Sequence, residues 1–159
     1  MSRQGGFTLM ELVVVMVLTG ILAAVAIPRV FNKSEFAGRG ARDFVGSALR
    51  YAQKSAVAMR RNVCVTVGAT SVTMTHALAA GNTQVCAAAA TINNPATGQP
   101  FASQAYEQGA TVSTPASLAF DALGRPLSAA LAALTTTQTI TVNGHATPVT
   151  IEPETGYVH

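Results

Sequence analysis

Residues 5–28 read GGFTLMELVVVMVLTGILAAVAIP, and the fold turns on what this stretch is. From Phe7 to Ile27 the one ionisable side chain is Glu11. As a helix it spans ~30 Å, the thickness of a bilayer's hydrocarbon core. Three structures compete for such a run: a buried core helix, a cleaved secretory signal and a retained membrane helix. The buried helix is the weakest, because the run is apolar on all sides and a chain of 159 residues has no core able to surround it. Ala24-Val25-Ala26 has the small-x-small form of a secretory cleavage site. Against it, a secretory signal needs a basic leader and gains nothing from a carboxylate, yet here only Arg3 precedes a run that contains Glu11. A carboxylate in lipid is costly unless it protonates or meets a partner. Glu11 is therefore either a functional group or a residue at the membrane edge whose side chain reaches back to water.

Gly5-Gly6 followed by Phe7-Thr8-Leu9-Met10-Glu11-Leu12 and an apolar run resembles the N-terminus of type IV prepilins and type II secretion pseudopilins. The resemblance implies that a membrane-embedded prepilin peptidase cuts between Gly6 and Phe7, removing the leader 1–6, and methylates the new amino group of Phe7. It further implies that Glu11 pairs with the Phe7 ammonium of a neighbouring subunit. Two charges that are each costly in lipid become tolerable when they meet, so the pair couples subunit addition to register. The implied location is a bacterial inner membrane crossed once, with the head in the periplasm, and then a pilus or pseudopilus. The implied partners are other pilin or pseudopilin subunits, the peptidase, membrane lipid and an assembly platform. Charge bias runs the other way, since Arg29, Lys33, Arg39 and Arg42 follow the run and the positive-inside rule would hold them in the cytoplasm. That rule weakens where a whole domain follows, and the motif carries more weight.

Apolar residues make up 49% of the chain and charged ones 11%, which excludes a disordered or strongly solvated protein. The net charge of +3 is small, and after Arg61 the only cation among Lys and Arg is Arg125. Cys64 and Cys86 permit one pairing: a disulfide worth roughly 3 kcal/mol in an oxidising compartment, or two buried thiols in the cytosol. Which holds depends on the N-terminal segment.

Pro28 is expected to interrupt or kink the first helix. Beyond it Ala41, Phe44, Val45, Ala48, Leu49, Ala52, Ala56 and Met59 recur at three- and four-residue spacing, which predicts an amphipathic helix to about Arg61. Gly38, Gly40 and Gly46 are its weak points, and Glu35 and Arg39 stand at i,i+4. Val63, Val65 and Val67 alternate with polar residues up to a turn at Gly68-Ala69, and Val72 and Met74 alternate again through His76. Residues 77–108 read as loop with one short strand near Val85. Residues 117–121 read as a strand ended by Leu123-Gly124-Arg125-Pro126. Thr139–Val142 and Pro148–Glu152 flank Asn143-Gly144, a hairpin signal, and 155–158 form a last short strand. The expected class is α+β: a leader 1–6, a membrane or assembly half-helix 7–28, an amphipathic half 29–61, and a β-rich head 62–159 whose antiparallel sheet packs on the helix.

Three further stretches are similar to minor pilins and pseudopilins of the H/FimT-like group, among which the mannose-sensitive haemagglutinin-type minor pilins are nearest. They are Leu49–Gln53 leading to Arg61-Asn62-Val63, then 120–125, then the terminal 154–158. The resemblance implies a minor pilin, with a type II secretion pseudopilin as the alternative. Some FimT-like pilins bind DNA through arginines near the C-terminus, but here Tyr157 and His159 stand where arginine is expected, which removes the charges that would neutralise phosphate. Arg60, Arg61 and Arg125 remain as a patch if the fold unites them, so nucleic acid is a possible partner that is not favoured.

No catalytic residues emerge. His76, His145 and His159 lie far apart without metal-ligand spacing, seven acidic residues are too few for a confident dyad, and no nucleotide or nucleophile fingerprint occurs. The reading is of a non-enzymatic chain with no cofactor and no metal.

Overall fold

The computed structural model describes residue 6 and residues 8–30, 33–81 and 85–159, with side chains except at 25–30, 33, 87–89, 103 and 108. The chain divides into two units, Met1–Lys33 and Ser34–His159. The class is α+β, as the periodicities require.

The first unit is built on helix α1, Leu9–Val30. It runs on through Pro28, where an interruption or a kink was expected, without an interruption. Thr8 is its N-cap: Thr8 Oγ1 accepts the Glu11 backbone N–H at 3.2 Å, and the Thr8 carbonyl accepts from Leu12 N–H. This is half of a capping box, a Ser or Thr followed three residues later by Glu.

The second unit lays helix α2, Lys33–Met59, over antiparallel sheets. Strands β1 (Val63–Val67), β2 (Val72–Ala77), β3 (Cys86–Thr91), β4 (Ala116–Phe120) and β5 (Pro126–Ser128) form one sheet in the order β3-β2-β1-β4-β5. Strands β6 (Gln138–Ile140) and β7 (Val149–Ile151) form a second. Register places Val65 opposite both Met74 and Leu118, so one row of apolar side chains crosses three strands. Against it lies the α2 stripe, with Ala41, Val45, Ala48, Leu49, Ala52 and Ala56 all buried. Phe44 and Met59 are only partly buried at its margins. The alanines bring the helix close to the sheet, while Leu49 and Phe120 fill the space between, each contributing roughly 1.5–3 kcal/mol of apolar burial. Arg60 ends α2 in the left-handed region (φ 52°). Arg61 N–H bonds back to the Ala56 carbonyl and Arg60 N–H to that of Val57, a Schellman closure without the usual glycine.

Several expectations are corrected. The short strand expected near Val85 is β3, which begins at Cys86, and the rest of the 77–108 stretch adds 3₁₀ turns at Phe101–Ser103 and Glu107–Gly109 that were not expected. Those turns bury Phe101 and Tyr106, whose rings pack on Phe44 at 6.1 Å each. Sequence alternation could not show this, because the residues reach the core one at a time from irregular backbone. Strand β5 follows the Leu123-Gly124 turn, which was read only as an ending. Asn143-Gly144 does not close a two-residue hairpin. β6 pairs Ile140 with Val149, and the longer connection detours so that Val142 bridges Val112. The terminal segment forms one antiparallel bridge, Ile151 to Val158, and not a named strand; Thr150 and His159 exchange both backbone hydrogen bonds there, and Glu152 N–H donates to the Tyr157 carbonyl. The Glu35–Arg39 pair is not formed among the described residues, whose Lys/Arg–carboxylate pairs are Arg42–Asp43 and Arg125–Asp121. An exposed pair gains too little to hold two long side chains in place.

Candidate functional site

The residues expected to act lie at the start of the chain. Gly6 is exposed, and Phe7, the expected site of cleavage and methylation, lies outside the described residues. Glu11 stands in the first turn of α1, also exposed, its backbone committed to the Thr8 cap. Sequence reading weighed Glu11 for its charge and overlooked its place in a cap, although Thr8-x-x-Glu11 was visible. From Thr8 to Ala24 every residue is exposed. Leu12, Val13, Val14 and Val15 show 53%, 45%, 46% and 51% of their surface. Four successive residues sweep most of the way round a helix, so apolar surface is open on every side. Beyond the Thr8 cap the one hydroxyl in the run, Thr19, bonds to the Val15 carbonyl at 2.8 Å and makes no demand on the surroundings. Such a helix needs an apolar cover, from lipid or from other helices. Among the described residues no helix is long and apolar enough to cross a membrane. The part of α1 with described side chains, residues 9–24, rises about 24 Å, short of the ~30 Å hydrocarbon core that the whole element matches.

In the second unit three separate sequence stretches converge. Gln53 Nε2 on α2 donates to the Gly124 carbonyl at 2.9 Å and to that of Thr155 at 3.0 Å. Arg50 Nε donates to the Val158 carbonyl at 3.2 Å. Asp121, fully buried, accepts from Leu123 N–H and Arg125 N–H at 2.9 Å each through Oδ1. Its Oδ2 holds the Arg125 guanidinium at 2.8 Å. Gly124 and Gly156 take positive φ (82° and 67°), and a side chain on Gly156 would strike Gly124 O and Gln53. These groups have structural work: they fasten the β4–β5 turn and the terminal segment to α2.

Cys64 and Cys86 are joined by a disulfide, Cα–Cα 6.0 Å, which reaches from β1 to β3 across β2. Tyr106 is buried, and its hydroxyl points at the Gly68 and Ser71 carbonyls (3.0 and 3.2 Å) in the β1–β2 turn; burial pushes its pKa from 10.0 up to about 12. The three arginines considered as a patch are partly committed, Arg61 to the Leu78 carbonyl and Arg125 to Asp121. The histidines stay apart: His76 bonds the Ala77 carbonyl, while His159 meets Thr150 and Glu152. No group of three or more metal-ligating side chains gathers among the described residues.

Residues 1–27 match a family model described as the prokaryotic N-terminal methylation motif. The match covers the leader, the expected cleavage site and most of α1, and supports a subunit of the type IV pilin or pseudopilin kind. No curated protein and no solved structure matches the chain.

Proposed function

We propose that this chain is a minor subunit of a type IV pilus-like filament, anchored by α1 in the bacterial inner membrane with the second unit in the periplasm before assembly. The observation that carries the reading is the coincidence of the methylation motif with a helix whose apolar surface is open all round. Prepilin peptidase cuts between Gly6 and Phe7 and methylates Phe7. Lipid covers α1 until neighbouring subunits replace it. Glu11, at the start of the apolar run, then accepts the Phe7 ammonium of an adjacent copy, so that two charges enter the apolar interior only as a pair. The disulfide suits a periplasmic head, since oxidising compartments maintain such bonds. DNA affinity is weak or absent, because Arg125 is neutralised by Asp121 and the terminal segment carries Tyr157 and His159 in place of arginine.

The test is the N-terminus and intact mass of the chain extracted from its native membrane. A chain beginning at N-methylated Phe7 supports the proposal. A chain beginning at Ile27 means an ordinary secreted domain, and the anchor and the role of Glu11 fall with it.

A further inference from the structure

Near the start of α2 a projecting ring stands beside a cleft. Phe36 is 69% exposed, so its ring occupies no cleft of its own chain. One helical turn on, Gly40 has no atom within 4 Å of where a Cβ would stand, which leaves the helix surface open there. Gly40 and Phe44 form one wall of a cleft of about 570 Å³, and residues 94–107 form the other. The far rim is held by Asn94 Nδ2 donating to Gln104 Oε1 at 2.7 Å and by Gln104 donating to Thr97 Oγ1. The Phe44 and Tyr106 rings, 6.1 Å apart, give the cleft an apolar lining, and Glu107 stands in it as the one carboxylate. Arg39, three residues beyond Phe36, is exposed, as is Glu107, and neither has an ion-pair partner among the described residues.

We propose that Phe36 and Arg39 of one copy of this chain dock into the Gly40–Phe44–Glu107 cleft of the next, the ring filling the cleft and the guanidinium meeting the carboxylate. The inference rests on the filament reading and names the head surface through which copies touch. Charge complementarity selects the occupant: the cation and the anion belong to the same chain, stand unpaired, and flank a ring on one side and a cavity on the other. The ring and the cleft are about one helical turn apart, ~6 Å along α2. Gly40 serves this contact by giving the incoming ring close access to the helix backbone.

The test uses the full chain in its native membrane. Two tagged versions, Glu35→Cys beside the ring and Ala105→Cys on the cleft wall, are co-expressed and treated with a short bis-maleimide that leaves the native disulfide intact. A mixed Glu35→Cys/Ala105→Cys dimer is expected, well above either homodimer. In a second series without new cysteines, Arg39→Glu lowers co-purification of differently tagged copies about tenfold, and adding Glu107→Arg to the same chain restores it. If chains begin at Phe7 and copies co-purify, yet the mixed dimer is absent and the double reversal restores nothing, this contact is wrong and the filament reading stands. Chains neither cut before Phe7 nor associated with one another overturn both.

Discussion

Gly38 and Gly144 meet backbone to backbone: a Cβ on Gly38 would lie 2.7 Å from the Gly144 carbonyl carbon and 2.8 Å from the Asn143 carbonyl oxygen. A glycine inside a helix is ordinarily a weakness, and here it lets the 143–144 turn rest on α2. Gly38→Ala is expected to lower the stability of the folded head by about 1–3 kcal/mol, since neither backbone can yield cheaply. Gly46 has the opposite prospect. The nearest atom to its Cβ position is the Arg50 guanidinium at 3.9 Å, an ordinary contact. Gly46→Ala should raise stability by about 0.5–1 kcal/mol through helix propensity alone. Urea unfolding followed by helical circular dichroism measures both, and equal signs would refute the account.

Asp121 offers the sharpest test of the convergence around Gln53. Asp121→Ala takes the acceptor away from two backbone N–H groups while the half-exposed Arg125 guanidinium turns to water, and is expected to cost about 2–3 kcal/mol. Gln53→Ala removes two hydrogen bonds from a half-exposed position and should cost about 1–2 kcal/mol. The same unfolding assay ranks them, and a larger loss at Gln53 would contradict the burial of Asp121.

Tyr106 predicts an alkaline limit. Its pKa is raised by burial to about 12 in the folded chain, against about 10 in the unfolded one. The folded state therefore holds the phenolic proton more tightly. The resulting stability is fully present below about pH 10 and is lost as pH climbs towards 12, to the extent of roughly 2 kcal/mol. Tyr106→Phe should flatten the stability profile across that window. An unchanged slope in the variant would assign the loss to other groups.

For the disulfide, non-reducing mass analysis should show the chain about 2 Da lighter than its dithiol form. Replacing both cysteines by serine is expected to cost about 3 kcal/mol, given the separation of 22 residues. An unchanged mass would mean free thiols in the native protein.

Glu11→Ala and Glu11→Gln separate charge from helix capping. Both keep the Thr8 oxygen that accepts the backbone N–H of residue 11, so α1 should start normally and cleavage before Phe7 should continue. Filament content, measured in sheared fractions, is expected to fall strongly in both. Wild-type content in Glu11→Gln would remove the charge-pair role.

Where hydrophobic period governed the outcome, the fold was legible. The α2 stripe and the alternating valines of β1 and β2 lie where their spacing places them, because each buries one face against a single layer. β3 is the short strand expected near Val85, but its bounds could not be read, since Cys86–Thr91 is an alanine-rich run without alternation. Phe101 and Tyr106 enter the core from 3₁₀ turns, for which sequence carries no periodic sign. Gly38 was read as a defect because its reason lies over a hundred residues away. Of the candidate site, the motif from Gly5 to Leu12 could be read directly, while the role of Thr8 as a cap and the meeting of Gln53 with Gly124 and Thr155 needed the fold.

The disulfide also has a mechanical meaning. Because it ties β1 to β3 across β2, the chain between Cys64 and Cys86 forms a covalently closed loop. A head stretched by its two ends cannot pay out that loop. At ~3.4 Å per residue, the 22-residue separation withholds about 75 Å of contour length for as long as the bond lasts. Tension is routed past β2 through sulfur, and the central hairpin is spared from being peeled apart strand by strand.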